Sequence, residues 1–299
     1  MYRSCLRIKI FIAMKPEKKY PAEVYLNGKW LKSNEAFISV FDRSFMFGDG
    51  IYEVTPFYKG KAFKLKEHLK RLQYSLDEVQ IAFDAFKLEK LMWEAINRAD
   101  LTEADAAIYI QVSRGTAPRS HFVPEKIETT ILLYAFPVSL EGFENKTWEV
   151  MASEDKRWHR CDIKSTALLA NVMANEEAIS AGFDENLLVR KGYFTEGSHS
   201  SLFFVKYGVL HTHPEGPEIL SGVTRAEVFK ICSDLNIKVI EKAVHIDELV
   251  EVEEVFVTGT TTQIIPISSI IHKDKKVYTA HKDSITKKLQ QAFIARTRS

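Results

Sequence analysis

The 299-residue chain has only three cysteines, Cys5, Cys161 and Cys232, and no Cys-x-x-Cys pair. A disulfide framework and a cysteine zinc site are therefore not expected, and the composition fits a reducing cytoplasm. Neither sign of charge is in excess, since 41 Lys and Arg oppose 40 Asp and Glu. Nucleic acid and anionic membranes are not expected as partners because they require a clustered positive excess.

A membrane span and a signal peptide are not expected either. The apolar stretch Ile8 to Ala13 is interrupted by Lys9, is too short to cross a bilayer and precedes no small-residue cleavage site. Residues 1–22 are expected to form a disordered N-terminal extension, and the sequence leaves open whether translation starts at Met1 or at Met14. No G-x-G-x-x-G or Walker motif is present.

The remaining chain mixes helical and strand patterns without strict alternation, which disfavours a doubly wound dinucleotide fold. An Asn27-Gly28 turn predicts a β-hairpin, and leucines from Leu65 to Leu76 recur at helical spacing. Polar residues 139–146 mark a boundary between domains at 23–140 and 147–299. In the second half we predict a helix capped by Ser165 or Thr166 and ending at Gly182, and a hairpin at 187–195. A capping box at Thr224 predicts a helix to about Leu235.

Two residues are candidates for acid–base or covalent chemistry. Lys164 precedes the predicted helix cap, where a lysine is ordinarily a solvated surface residue; a nucleophilic amine would require partial burial. Glu196 ends a strand before a Gly-Ser turn and is usually only a turn residue, but a buried carboxyl there could keep a pyridine nitrogen protonated.

An anion site is indicated around Ser221-Gly222-Val223-Thr224, because glycine permits close backbone approach and a helix N-terminus presents free N–H groups. Thr260 and Thr261 could add hydroxyls, although a helix cap and a threonine-rich turn explain the same residues. Arg71 lies away from the leucine stripe and is predicted to face solvent, sharing its flank with His68 and Ser75.

Two histidine-containing pairs are candidate ligand sites. Arg119 and His121 point the same way in an extended chain, and two adjacent cations can bind a carboxylate, although a solvated basic turn is the default. His211 and His213 share a strand face, but no acidic or thiol ligand lies nearby, so no metal site is expected.

The order and spacing of these segments resemble one family, the fold-type IV pyridoxal-phosphate (PLP) enzymes, and most closely the D-amino acid aminotransferases. The resemblance extends from about Tyr25 to Phe293. The segments that carry it are Phe47 to Val54, Arg114 to His121, Arg157 to Lys164, Val223 to Arg225 and Thr260 to Pro266.

The resemblance implies an α+β fold with a smaller α/β N-terminal domain and a larger, β-barrel-like C-terminal domain. It implies amino transfer between D-amino acids such as D-alanine and 2-oxo acids, with active sites between the domains and near a homodimer interface. Lys164 would hold PLP as a Schiff base and Glu196 would face the pyridine nitrogen. The phosphate ligands would be Arg71, Val223, Thr224 and Thr260, and the substrate carboxylate ligands Tyr52, Arg119 and His121.

Two positions depart from the family pattern: His199 stands within the usual Glu-Gly-Ser-Ser-Ser-Asn segment, and Gly259 replaces a more usual serine. The nearest rival functions are a 4-amino-4-deoxychorismate lyase and an L-branched-chain aminotransferase on the same fold. A non-catalytic PLP-binding protein is a further alternative, but retention of both Lys164 and Glu196 argues against it.

Overall fold

The computed structural model describes residues 20–281 and 284–298, so most of the predicted extension 1–22 lies outside the described residues. The chain forms two β-sheets, each covered by its own helices. The first-half elements are β1 (Glu23–Leu26), β2 (Lys29–Lys32), α1 (Arg43–Phe47), β3 (Gly50–Tyr58), β4 (Lys61–Ala62), α2 (Leu65–Glu78), α3 (Glu89–Arg98), β5 (Ala106–Ser113) and β6 (Thr130–Pro137).

The first sheet has six strands in the order β2-β1-β6-β5-β3-β4, all antiparallel. The predicted hairpin is confirmed: Asn27 and Gly28 both have positive φ angles, 46° and 91°, as a type I′ turn requires. The predicted leucine helix is α2, whose Leu69, Leu72 and Leu76 are fully buried. Together with α3, α2 packs on this sheet through its leucine face. The other flank of α2 lies beside the second half of the chain.

The second-half elements are β7 (Trp148–Glu154), α4 (Leu169–Ser180), β8 (Glu185–Arg190), β9 (Tyr193–Gly197), β10 (Ser201–Lys206), β11 (Val209–Thr212), α5 (Val223–Asp234), β12 (Val239–Glu241), β13 (Glu254–Gly259), β14 (Gln263–His272), β15 (Lys275–Thr279) and α6 (Ser284–Thr297). They form a nine-stranded mixed sheet in the order β12-β11-β10-β13-β14-β7-β8-β9, with β15 on β14. The mixed α+β class is confirmed. The division into domains at 23–140 and 147–299 stays a prediction, with the gap between β6 and β7 at the expected place.

Both predicted N-terminal helix caps of the second half are wrong. The cap of α4 is Leu168, and the Thr166 hydroxyl instead donates to the carbonyls of Gly48 and Gly50. The cap of α5 is Gly222, so Thr224 is already helical and forms no capping box. Thr166 thus joins the two halves of the chain rather than serving its helix. Within the described ranges, no helix is long and apolar enough to cross a membrane.

Candidate active site

A cavity of about 400 Å³ is lined by residues of both halves of the chain. It brings together seven of the nine predicted site residues: Tyr52, Arg71, Lys164, Glu196, Val223, Thr224 and Thr260. Arg119 and His121 are not among its lining residues. The lining residues extend from Tyr52 to Thr260 along the chain, so the fold alone creates the site.

Lys164 lies in the connection between β7 and α4 and is held by its backbone. Its N–H donates to the Ser75 hydroxyl at 3.1 Å, and its carbonyl accepts the N–H of Tyr52 at 3.0 Å. The side chain extends into the cavity, with Nζ 4.3 Å from the centroid of the Tyr52 ring. The lysine is therefore a fixed cavity residue rather than a solvated surface one.

Glu196 occupies the end of β9 and is only 5% exposed. Its carboxylate accepts a hydrogen bond from Arg157 Nη1 at 2.5 Å and another from the N–H of Leu220 at 3.1 Å. Burial raises the pKa of Glu196 above its ordinary value, while the positive charge of Arg157 opposes that rise. A buried carboxyl in this position can share a proton with a ring nitrogen.

Arg157 is a site residue that the sequence did not predict. It lines the cavity and is held by Asp155, which accepts from its Nε and Nη2 at 3.0 Å each and also pairs with Arg190 at 3.0 Å. It opens the segment Arg157 to Lys164 that carries the family resemblance, but neither that resemblance nor the charged run at 154–157 gave Arg157 a role. Asp155 thus holds Arg157 in place, and Arg157 in turn orients the Glu196 carboxylate.

The prediction that Arg71 faces solvent is wrong. Its side chain is 9% exposed, and it donates twice to the buried Glu53 and once to the carbonyl of Ser221 at 3.0 Å. The flank it shares with His68 and Ser75 is buried because β3 and the loop before α5 cover it. Polar residues along one helix flank were the available signal, and they indicated a second buried face.

The N-terminus of α5 faces the cavity through Val223 and Thr224. The first amides of an α-helix have no partner within the helix and carry partial positive charge, which favours an anion. A Cβ at Gly222 would lie 2.6 Å from the Ser201 hydroxyl, so the backbone here is closely packed. With Thr260, which directly follows β13, and the Arg71 guanidinium, these groups suit a phosphate.

Arg119 and His121 lie in a bent segment rather than in the extended chain assumed from the sequence. Both side chains lie against the ring of Phe47, with the Arg119 guanidinium carbon 5.3 Å and the His121 ring 5.7 Å from its centroid. Both therefore contact one ring, although not through strand alternation. Their assignment to the substrate carboxylate stays a prediction.

The two departures from the family pattern, His199 and Gly259, both line the cavity. Nδ1 of His199 lies 3.0 Å from the carboxylate of the fully buried Glu185, which also accepts from the hydroxyls of Ser198 and Ser200. Burial tends to raise the pKa of Glu185, but these partners hold it below its ordinary value. The ionised carboxylate of Glu185 thus holds together the turn that follows Glu196.

His211 and His213 do not form part of this site. His211 lies in β11, next to the edge strand β12 of the second sheet. His213 follows β11, and its Nδ1 contacts the carbonyl of Pro214. Among residues 20–281 and 284–298, no group of three or more histidine, cysteine or acidic side chains is arranged to hold a metal ion.

Comparison with known proteins adds to this geometry. The family model for class IV amino-transferases matches residues 50–270. The D-alanine aminotransferase of Bacillus licheniformis is 38% identical over 83% of this chain and 88% of its own length. The D-alanine aminotransferase of Staphylococcus aureus (strain COL) is 36% identical over 91% of this chain and 96% of its own length. The solved branched-chain amino acid aminotransferase of Escherichia coli superposes with a TM-score of 0.83, at 25% identity over 92% of this chain and 94% of that one.

The cavity with its amine, buried carboxyl and anion site, together with these matches, defines an aminotransferase of fold type IV. The chain belongs to the class IV aminotransferase family. It is a PLP-dependent enzyme, and the predicted fold and cofactor are confirmed.

Proposed function

We propose that the enzyme transfers amino groups between D-amino acids, D-alanine first among them, and 2-oxo acids such as 2-oxoglutarate. The observation that carries the proposal is the likeness to D-alanine aminotransferases over most of both chains. The likeness to a branched-chain aminotransferase is mainly one of fold, at 25% identity. It makes the L-branched-chain reaction the second candidate.

The residues lining the cavity fit PLP at each of its functional groups. Its phosphate would lie between the Arg71 guanidinium, the first amides of α5 and the Thr260 hydroxyl. Its ring nitrogen would face the Glu196 carboxyl, and its aldehyde carbon would be attached to the Lys164 amine. When bound, PLP supplies an electron-withdrawing ring that stabilises negative charge at the substrate α-carbon.

The chain's own residues then perform proton transfer and orientation. With PLP and substrate bound, the Lys164 amine would take the proton from the substrate α-carbon and give it back to the cofactor. Glu196, held by Arg157, would keep the ring nitrogen protonated while negative charge develops. Tyr52, whose ring lies under Nζ of Lys164, bounds the side of the cavity where the proton moves.

Recognition of the substrate carboxylate is assigned to Arg119 and His121 together with Tyr52. The Arg119 guanidinium and the His121 ring both contact Phe47, and Arg119 would supply the positive charge that binds the carboxylate. Lys164 would act on one face of the bound cofactor only, so the side on which the carboxylate binds would decide between D- and L-substrates. The assignment depends on these two residues reaching a substrate.

The enzyme is further proposed to be a cytoplasmic homodimer. The segment before α1, together with α1 itself, exposes an apolar set that a second copy could cover: Phe37, Val40, Phe41 and Phe45, each more than half exposed. Contiguous apolar surface of this kind marks protein–protein contacts. The scarcity of cysteine fits a reducing compartment.

A half-reaction tests the proposed substrate. The purified enzyme is loaded with PLP, mixed with D-alanine or with L-leucine in the absence of an oxo acid, and followed by the absorption band of the lysine-bound cofactor. Loss of the band with D-alanine alone supports the proposal. Loss with L-leucine alone would overturn the stereochemical assignment and leave the cofactor site in place.

The remaining outcomes of this half-reaction distinguish the rival functions. A band that persists with both amino acids points to the 4-amino-4-deoxychorismate lyase reaction or to a non-catalytic PLP-binding protein, and release of pyruvate from aminodeoxychorismate distinguishes the two. Absence of any band on loading would refute covalent binding of the cofactor by Lys164.

A further inference from the structure

Behind the phosphate site lies a buried group of three charged or polar side chains, Glu53, His68 and Arg71. Glu53 is on β3 next to Tyr52, and its carboxylate is fully buried. His68 and Arg71 are three residues apart on α2 and face the same carboxylate. Glu53 and His68 do not line the cavity, whereas Arg71 does. They therefore reach a ligand only through Arg71.

The contacts of Glu53 fix both of its oxygens. Oε1 accepts from the N–H of Val54 at 2.9 Å, from His68 Nδ1 at 3.0 Å and from Arg71 Nη2 at 2.6 Å. Oε2 accepts from Arg71 Nε at 2.9 Å. The carboxylate and the guanidinium thus form a two-point contact that permits a single orientation of the arginine plane.

This contact leaves a defined part of Arg71 for a ligand. A guanidinium has five N–H donors, and the contacts with Glu53 and with the Ser221 carbonyl use one on each nitrogen. Two donors therefore remain, one on each terminal nitrogen, and each can bind a phosphate oxygen. Without Glu53 the long arginine side chain would sample many rotamers in an open cavity.

The protonation states support the same arrangement. Burial would raise the pKa of Glu53, but Arg71 and His68 hold it well below its ordinary value, so the group is a carboxylate. Burial lowers the pKa of His68, which Glu53 only partly opposes, so the ring is neutral and donates through Nδ1–H. The carboxylate therefore orients the arginine, and the histidine orients the carboxylate.

We infer that Glu53 and His68 are positioning residues that aim the guanidinium of Arg71 at the cofactor phosphate, an inference that rests on the proposed function. They hold the terminal nitrogens of Arg71 at the loop before α5, where the helix amides and Thr260 complete the anion site. The phosphate site is consequently assembled from both halves of the chain. The cofactor's phosphate, rather than its ring, is the part whose binding depends on this pair.

The test compares two ligands that differ only in the phosphate, PLP and pyridoxal, each titrated in phosphate-free buffer by the absorption band of the lysine-bound form. Glu53→Asp keeps the charge and shortens the side chain by one methylene, so it moves the carboxylate without removing it. We expect the ratio of the Kd for PLP to the Kd for pyridoxal to rise about tenfold, the scale of one charge-assisted hydrogen bond. Glu103→Gln, at an exposed turn, is the control and should leave the ratio unchanged.

A double-mutant cycle establishes whether the effect passes through Arg71. In an Arg71→Ala background, Glu53→Asp should change the ratio no further. If the two losses add, or if Glu53→Asp weakens both ligands equally, Glu53 serves only the fold and the inference fails. If the parent enzyme binds neither ligand covalently, the proposed function fails instead, and the two failures are thereby distinguished.

Histidine variants provide a second route should Glu53→Asp fail to fold. His68→Asn retains an N–H donor near the position of Nδ1, whereas His68→Leu has no donor. We expect His68→Leu to raise the ratio about threefold, less than the full effect of one hydrogen bond because His68 acts only through Glu53, and His68→Asn to restore most of the parent value. Equal ratios in both variants would remove His68 from the positioning role.

Discussion

The amine of Lys164 lies 4.3 Å from the centroid of the Tyr52 ring, and the N–H of Tyr52 donates to the Lys164 carbonyl. Within the described residues the amine forms no ion pair, so the group it contacts is an aromatic face rather than a carboxylate. A ligand therefore has no carboxylate to displace among the described residues when it binds this amine.

Replacement of Lys164 by Ala should abolish turnover. The amine is both the attachment point and the base, so kcat should fall by at least ~10⁴-fold, the upper range for a positioned acid–base group. The measurement is steady-state transamination combined with the absorption spectrum, in which the band of the attached cofactor should also be lost. Lys156→Ala, at an exposed position before Arg157, is the control. Normal activity in the Lys164 variant would refute the assignment.

Replacement of Arg157 by Met should shift the pH profile of kcat. The positive charge of Arg157 lowers the pKa of Glu196 against the effect of burial, so its removal raises that pKa further. A protonated Glu196 carries no negative charge to stabilise a protonated ring nitrogen. As the pH falls, the variant should therefore lose activity at a higher pH than the parent enzyme does. At neutral pH we expect kcat to fall about tenfold, the loss of one charged contact.

The control for this change is Arg160→Met, three residues along the chain, whose partly exposed side chain pairs with Glu78 and Asp162. The acidic side of its pH profile of kcat should coincide with that of the parent enzyme. An unshifted profile in Arg157→Met would mean that Arg157 does not set the protonation of Glu196.

Stability of the enzyme should fall on acidification in part through Glu53. Its folded pKa lies well below the ordinary value of 4.5, so its contribution is complete above that value and is lost as the pH falls toward the folded pKa. Glu53→Gln should cost about 3 kcal/mol at pH 7, because Arg71 loses its buried partner. The variant should show a shallower decline below pH 4.5. Urea unfolding at a series of pH values measures both quantities, and parallel pH curves would contradict the expectation.

Gly115 should tolerate no side chain. Its φ is +116°, and an added Cβ would lie 1.8 Å from the carbonyl oxygen of Glu128. Gly115→Ala should therefore destabilise the enzyme by about 3 kcal/mol or more, since it combines a strained backbone with a clash. Gly208→Ala is matched in having a positive φ of +73° with open space around it, and should cost about 1 kcal/mol. Equal losses in urea unfolding would show that the clash is relieved by backbone movement.

The elements that the sequence predicted well are those determined by short-range pattern. The Asn27-Gly28 hairpin follows from two residues that accept positive φ, and α2 follows from its buried leucines. The predicted cap at Thr166 was wrong because its hydroxyl donates to a distant segment, and the one at Thr224 was wrong because the helix begins before it. A local capping motif carries no information about contacts across the chain.

The site itself was predicted through the family resemblance more than through the residues. Lys164 and Glu196 line one cavity, as the resemblance implies, but Asp155, Arg157 and Glu53 were missed. Each of these owes its role to burial by a distant segment, which leaves no local periodic signal. Arg71 was misplaced for the same reason, because the loop before α5 that covers its flank is 150 residues further along the chain.

The backbone of Lys164 is fastened on both sides, by the hydroxyl of Ser75 and by the N–H of Tyr52. These two hydrogen bonds hold the pivot of the side chain, so we expect movement during catalysis to involve mainly the four methylenes and the amine. The Lys164 amine should therefore pass between its cofactor-bound and released positions by a change of rotamer rather than by a movement of the loop. Rotamer changes are fast on the scale of turnover, so the slow step of this enzyme should lie in bond chemistry or product departure and not in repositioning its base.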